Sequence, residues 1–225
     1  MSMDYEIDHR GNSAKIILTL PEELIAEVEE YTTELFNDEE AITAETKLVG
    51  QIRKGKQLQI DPTHEKFVKT MNTLLRVAQE FITQFMTTNG NYDRLVGKSL
   101  CMTPVDVWSV HSFEHDYNPI HYHETPNQAG LSFTFYTNVP QQILDQEHKA
   151  EGHGPYGAKD GWLHFMHGEY IAQPIQNLRS KAISAICPKR GLLVMWPKWL
   201  PHWVTPFEGE GERRSIAGNI DVWWE

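Results

Sequence analysis

The sequence predicts an α+β fold in which a double-stranded β-helix, a jelly-roll or cupin-like barrel, is buttressed by N-terminal helices. Two stretches before Gly90 repeat apolar residues at helical spacing, whereas the chain from Lys98 onward breaks into short β-rich segments between turn signals. With 225 residues, 40% of them hydrophobic and 11% aromatic, the chain holds enough apolar side chains for a substantial core. The simplest division is one domain over 1–225, with 1–97 as a helical support region and 98–225 as a β-rich core.

Residues 15–20 read as a short apolar strand. Pro21 then opens a helix with Glu22 and Glu23 in its first turn, where a missing N–H costs nothing and negative charge suits the dipole. Leu24, Ile25, Val28, Tyr31, Thr32 and Leu35 give that helix one buried face. A second helix is expected from Asp61 and Pro62, with Asp61 as N-cap, and it ends at Asn89 and Gly90. Its stripe runs through Phe67, Met71, Leu74, Leu75, Ala78, Phe81, Ile82 and Phe85, spacing that suits packing on a sheet. Strands follow over 99–110, 131–139, 162–165, 182–187, 191–196, 202–206 and 213–222. Between them, 141–161 is polar, carries four glycines and offers few apolar anchors. It reads first as a surface excursion and, more sharply, as a lid.

Composition narrows the function. A formal charge of −11 with no Lys/Arg-rich run argues against a nucleic-acid groove. The N-terminus lacks a basic and an apolar region, and no stretch is long enough to span a membrane. Cys101 and Cys187 form no Cys-x-x-Cys pattern, so a reduced, cytoplasmic setting is expected, with a disulfide between them left open.

Two clusters far apart in the chain carry the chemistry. The first is His121, Tyr122, His123 and Glu124; the second is His202 after Pro201, followed by Arg213, Arg214 and Ser215. Histidines at i and i+2 of an extended chain share a side, so one metal ion can touch both. His202, on another strand, would complete a three-ligand face with open positions. Glu124 is the alternative third ligand; as the immediate neighbour of His123 it faces the other side unless the chain turns there. The other eight of the eleven histidines carry no such pattern and read as surface or satisfied polar groups.

Alternation along the last strand groups Arg213, Ser215 and Asn219 on one face, while Ile216, Ile220 and Val222 take the other. Arg213 can grip a carboxylate with two charge-assisted hydrogen bonds, and Ser215 adds a third donor. Arg214 points the other way. On 131–136, Phe133 and Phe135 alternate with Ser132, Thr134 and Tyr136, which puts Tyr136 on the polar face. A metal with open positions beside an acid-binding arginine suggests a non-haem iron oxygenase that uses a 2-oxo acid.

At this point the chain resembles the 2-oxoglutarate- and iron(II)-dependent oxygenases. It is most similar to a small prolyl-hydroxylase-like group of marine bacteria and their phages. The resemblance spans roughly Val107 to Asp221 and rests on 118–123, 131–138, 191–202 and 212–219. That family's proximal signature, His-x-Asp or His-x-Glu, meets His121 here with His123 at the acidic position, a departure that leaves either an all-histidine triad or one completed by Glu124. The distal histidine corresponds to His202, and the Arg-x-Ser element to Arg213 and Ser215. Tyr136 occupies a strand position from which some relatives reach the co-substrate, and Asn219 joins the same face.

The resemblance implies an enzyme with iron(II) as cofactor and 2-oxoglutarate and dioxygen as co-substrates. It would hydroxylate an unknown substrate with release of succinate and carbon dioxide, in the host cytoplasm where the gene is a phage's. A cupin-type dioxygenase or isomerase is the runner-up, although the glutamate expected three or four residues after a cupin His-x-His is absent. A non-enzymatic jelly-roll binding or virion module is the other alternative; it predicts no tight metal.

Overall fold

The computed structural model describes residues 4–10, 13–88, 96–123, 129–152, 159–168 and 182–225, without the side chains of 147–152. Eleven strands build two antiparallel sheets. They are β1 (Tyr5–Arg10), β2 (Ser13–Thr19), β3 (Lys56–Gln59), β4 (Leu100–Ser112), β5 (Asn118–His121), β6 (Ala129–Asn138), β7 (Leu163–Met166), β8 (Ile183–Ile186), β9 (Leu192–Pro197), β10 (His202–Val204) and β11 (Arg213–Trp224). The major sheet runs β1-β2-β9-β6-β11-β4-β3 and the minor sheet β5-β10-β7-β8. The two form the double-stranded β-helix, and its helical support comes from α1 (Glu22–Asn37) and α2 (Val68–Thr88).

The helices cover one face of the major sheet. Ile25, Val28 and Tyr31 of α1 and Met71, Leu74, Val77, Phe81 and Ile82 of α2 share one core with Ile16, Phe133, Phe135, Met195, Ile216 and Ile220. Each fully buried side chain of this size contributes about 1.5–3 kcal/mol, so this layer dominates the stability of the sheet. A second core lies between the sheets, where Val194 and Trp196 of β9 meet Leu163, Phe165, Leu200 and Val204. Both faces of the major sheet are therefore covered. The polar set Ser132, Thr134 and Tyr136 is as buried as its apolar alternates.

Several expectations change. The first 97 residues supply three strands of the major sheet as well as the helices, because β1 pairs with β2 from Tyr5↔Leu18 to Arg10↔Ser13, and β3 pairs with β4. Asp61 does not cap α2. Its carboxylate accepts from Thr63 N at 2.8 Å and Thr63 Oγ1 at 2.7 Å in a turn seven residues before Val68. The end at Asn89 and Gly90 lies outside the described residues. The polar segment after Asn138 opens as a helix, α3 (Gln141–Gly152), held by fully buried Ile143 in a cluster with Trp162, Cys187 and Phe207. Ile143, with Leu144 packed beside it, docks the helix; 153–158 lie outside the described residues. No disulfide joins Cys101 to Cys187. Among the described residues no helix is long and apolar enough to cross a membrane.

Candidate active site

The two sequence clusters meet between the sheets. β5 and β10 are neighbours in the minor sheet, and His121 lies directly across from His202 in their register. His123, just past the end of β5, is drawn inward by its backbone N–H, which donates to Lys198 O at 3.0 Å. The ring nitrogens of His121, His123 and His202 lie within 4.8 Å of one another, a spacing that one metal ion can bridge. Glu124 lies outside the described residues.

The donor chemistry fits a divalent transition metal. His121 Nδ1 sits 2.7 Å from Pro119 O and His202 Nδ1 sits 2.9 Å from Leu200 O. A carbonyl only accepts, so both Nδ1 atoms carry the proton and both Nε2 atoms keep a free lone pair. Burial lowers the pKa of His121, and burial beside its two neighbours puts His202 well below the usual range. His123 falls to about 4 through burial, with the His121 ring and the Lys198 ammonium adding to it. All three are neutral at pH 7, as ligation requires.

Trp108, Asn118, Ser132, Tyr136, Trp196, Arg213 and Ser215 enclose one small cavity together with the three histidines. Arg213 is 3% exposed. One Nη1–H donates to Gly161 O at 2.9 Å, but Nε is buried without a partner. Burial lowers its pKa, against the opposing pull of Tyr136 and Asp116. A buried guanidinium so poorly paired is costly, on the order of several kcal/mol, and an anionic ligand in the cavity would offset it. Tyr136 lies opposite Ser215 across β6 and β11; burial raises its pKa to about 12, so it is a neutral O–H donor.

Arg214 points to the other face of β11. There it forms an ion pair with Glu212 at 2.7 Å and donates to Thr33 Oγ1 at 2.6 Å on α1. Asn219 keeps the face of β11 expected of it, paired with Ser132 of β6, but stands about 20 Å of extended strand beyond Arg213. Its Oδ1 accepts from Ser132 Oγ at 2.8 Å, and it lines a neighbouring cavity instead of the one that holds Arg213.

Trp108 and Lys198 escaped the sequence reading, which expects Trp196 only to pack the barrel mouth. Trp108 stands 6.4 Å from the His123 ring, and Trp196 stands 4.8 Å edge-on to His202; alternation along β4 and β9 could have placed both inward. Lys198 is 5% exposed and pairs with Asp221 while its carbonyl holds His123. Nothing local marks a lysine between Pro197 and Trp199 as buried. Other histidines are satisfied as expected: His64 stacks on Tyr31, and His167 Nδ1 and Nε2 bond Ser13 and Ser184. His111 lies between Ser109 Oγ at 3.1 Å and Glu212 at 2.6 Å, an arrangement that looks catalytic but is sealed, since Ser109 and His111 are 0% exposed.

The Glu212 cluster sets acid stability. Burial alone would raise the Glu212 carboxyl, but hydrogen bonds from His111 and Arg214, with the Arg214 charge, hold it at about 2. A depressed carboxylate stabilises the fold above its unfolded pKa near 4.5 and loses that contribution as pH falls toward 2. The loss should amount to about 3 kcal/mol. Urea unfolding at pH 7, 4 and 2.5 should show it, and Glu212→Gln should flatten this limb; an unchanged slope in the variant would remove Glu212 as the cause.

Comparison with known proteins bears on the fold and the family. Residues 106–219 match a family model described as "Putative 2OG-Fe(II) oxygenase". No curated protein matches the chain. Among solved structures, a prolyl-4-hydroxylase from Pseudomonas putida is 15% identical with a TM-score of 0.56, covering 98% of this chain and 93% of its own. The non-heme α-ketoglutarate-dependent epimerase SnoN of nogalamycin biosynthesis is 10% identical with a TM-score of 0.58, covering 93% of this chain and 79% of its own. HygX from Streptomyces hygroscopicus, solved with nickel and 2-oxoglutarate bound, is 9% identical with a TM-score of 0.52, covering 93% and 83%. These similarities establish the double-stranded β-helix; the family model, matched over half the chain, establishes the relationship. The chain belongs to this 2OG-Fe(II) oxygenase family and is an enzyme that takes iron(II) and 2-oxoglutarate.

Proposed function

We propose that the whole chain, 1–225, is one oxygenase domain in which His121, His123 and His202 hold iron(II) and Arg213 anchors 2-oxoglutarate. The observation that carries this is the buried Arg213 guanidinium, with Nε unpartnered, in the same cavity as three neutral imidazoles. Arg213 takes the distal carboxylate of the co-substrate, with Ser215 Oγ and the neutral Tyr136 phenol as further donors. The Nδ1–H bonds to Pro119 and Leu200 carbonyls fix two imidazoles in the tautomer that presents Nε2. Trp108, Trp196 and Phe133 wall the cavity and exclude water.

When bound, iron(II) supplies the redox chemistry that couples dioxygen to oxidative decarboxylation of the 2-oxo acid and oxidation of the substrate. In the hydroxylation we infer, one oxygen atom of dioxygen enters a substrate C–H bond. The other enters the succinate carboxylate, and carbon dioxide leaves. The acidic balance of the chain disfavours nucleic acid and anionic membrane surfaces as partners, and two cysteines outside any Cys-x-x-Cys pattern suit a reduced, cytoplasmic setting. Succinate release by iron-loaded protein, with and without 2-oxoglutarate, tests the reading. Succinate should form only with both iron and 2-oxoglutarate present; protein that binds no iron and forms no succinate would overturn it.

A further inference from the structure

A second cavity, of about 110 Å³, adjoins the first and shares His123 and Trp108 with it. Arg213, Ser215 and Tyr136 all belong to the first cavity, so the co-substrate reading leaves this second space unused. A molecule there would lie beside the ring proposed to hold the metal.

Three features of its walls specify chemistry. Asn219 is 7% exposed, and its Oδ1 is already held by Ser132 Oγ at 2.8 Å. That bond holds the carboxamide in the wall of the cavity that Asn219 lines. Lys47 and Asp106 stand at the rim with opposite charges, Nζ and Oδ1 4.0 Å apart, and their side chains are 74% and 49% exposed. So long and exposed a pair holds itself together weakly, and each partner remains free to meet a ligand charge. Trp108 supplies the apolar surface between this rim and His123. The cavity is small, so the part of the occupant that enters it is compact.

We infer that the second cavity binds the primary substrate and that this substrate is a small zwitterion of the free amino-acid class. Its carboxylate meets Lys47, its ammonium meets Asp106, and its side chain lies along Trp108 toward His123. The inference rests on the oxygenase reading of the first cavity and names the substrate side of the same site. A peptide-bonded residue lacks both charges at that spacing and would leave Lys47 and Asp106 paired only with each other.

The test is calorimetric titration of anaerobic, iron(II)- and 2-oxoglutarate-loaded protein. The titrants are the twenty proteinogenic amino acids, each beside its N-acetyl and amide-capped forms. At least one free amino acid should bind, and Lys47→Met and Asp106→Asn should each weaken it roughly three- to tenfold without changing 2-oxoglutarate affinity. N-acetylation should cost wild type the same factor and cost Asp106→Asn nothing further, the signature of direct pairing. Tighter binding of capped than of free forms, or equal binding by both variants and wild type, overturns the inference, as does a panel in which no free amino acid binds. The 2-oxoglutarate titration on the same samples separates the two readings. Normal 2-oxoglutarate binding with no amino-acid binding sinks only the substrate inference, whereas no 2-oxoglutarate binding sinks both.

Discussion

Protein carrying His121→Ala and His202→Ala should fold and contain no transition metal, while wild type purified alongside it carries about one ion per chain. The two residues face each other across β5 and β10, so each truncation removes one of the ligand atoms brought within 4.8 Å. Elemental analysis reads the result directly, and equal metal in both proteins would remove the proposed centre. The third position gives the sharper comparison. His123→Ala should lose iron affinity by far more than the 10–100-fold typical of partners that only orient a ligand, and Glu124→Gln should stay within that range. His123→Asp should keep iron, because a carboxylate restores the common two-histidine, one-carboxylate arrangement. Affinities for all three variants at one pH decide the matter. If Glu124→Gln abolishes binding and His123→Ala spares it, Glu124 is the ligand.

Arg213→Met should weaken 2-oxoglutarate binding about 10- to 150-fold, the loss of roughly 1.5–3 kcal/mol from a charge-assisted contact. Arg214→Met should leave that affinity unchanged, because Arg214 faces α1 and Glu212. Stability should move in the opposite sense. Arg214→Met breaks a buried ion pair and lowers the urea midpoint, whereas Arg213→Met removes a poorly partnered buried charge and leaves the ligand-free protein at least as stable. Titration by the metal-chelate absorbance of 2-oxoglutarate, paired with urea unfolding, gives both readouts. Loss of 2-oxoglutarate binding in the Arg214 variant alone would place the anchor one residue away.

Periodicity was a dependable guide where one element meets one surface. The faces of α1 and of β11 follow from 3.6- and 2-residue spacing, and Arg213 is separated from Arg214 by that alternation alone. It was a poor guide at short or edge elements. The four-residue strands β3 and β5 are set by pairing with β4 and β10 and carry too few residues for a pattern. α3 was hidden because most of its residues are polar, and docking through Ile143 depends on Trp162, Cys187 and Phe207, which lie later in the chain.

By itself the sequence determined the family, the α+β class with both supporting helices in the first half of the chain, and the residue types that ligate metal and bind an acid. Those are properties of local spacing: His121 and His123 two apart, Arg213 and Ser215 two apart, amphipathic stripes on the helices. Only the tertiary structure decided that the polar face of β6 and β11 points inward, toward a cavity, because helices cover the apolar face and a second sheet covers the other. It alone brought His202 opposite His121 through strand pairing. It also divided the polar face of β11 between two cavities, with Arg213 and Asn219 in different ones, and left Arg213 buried with Nε unsatisfied among the described residues. Burial and cross-strand register are non-local quantities, fixed by what the rest of the chain packs against a residue, so no window of sequence around it contains them.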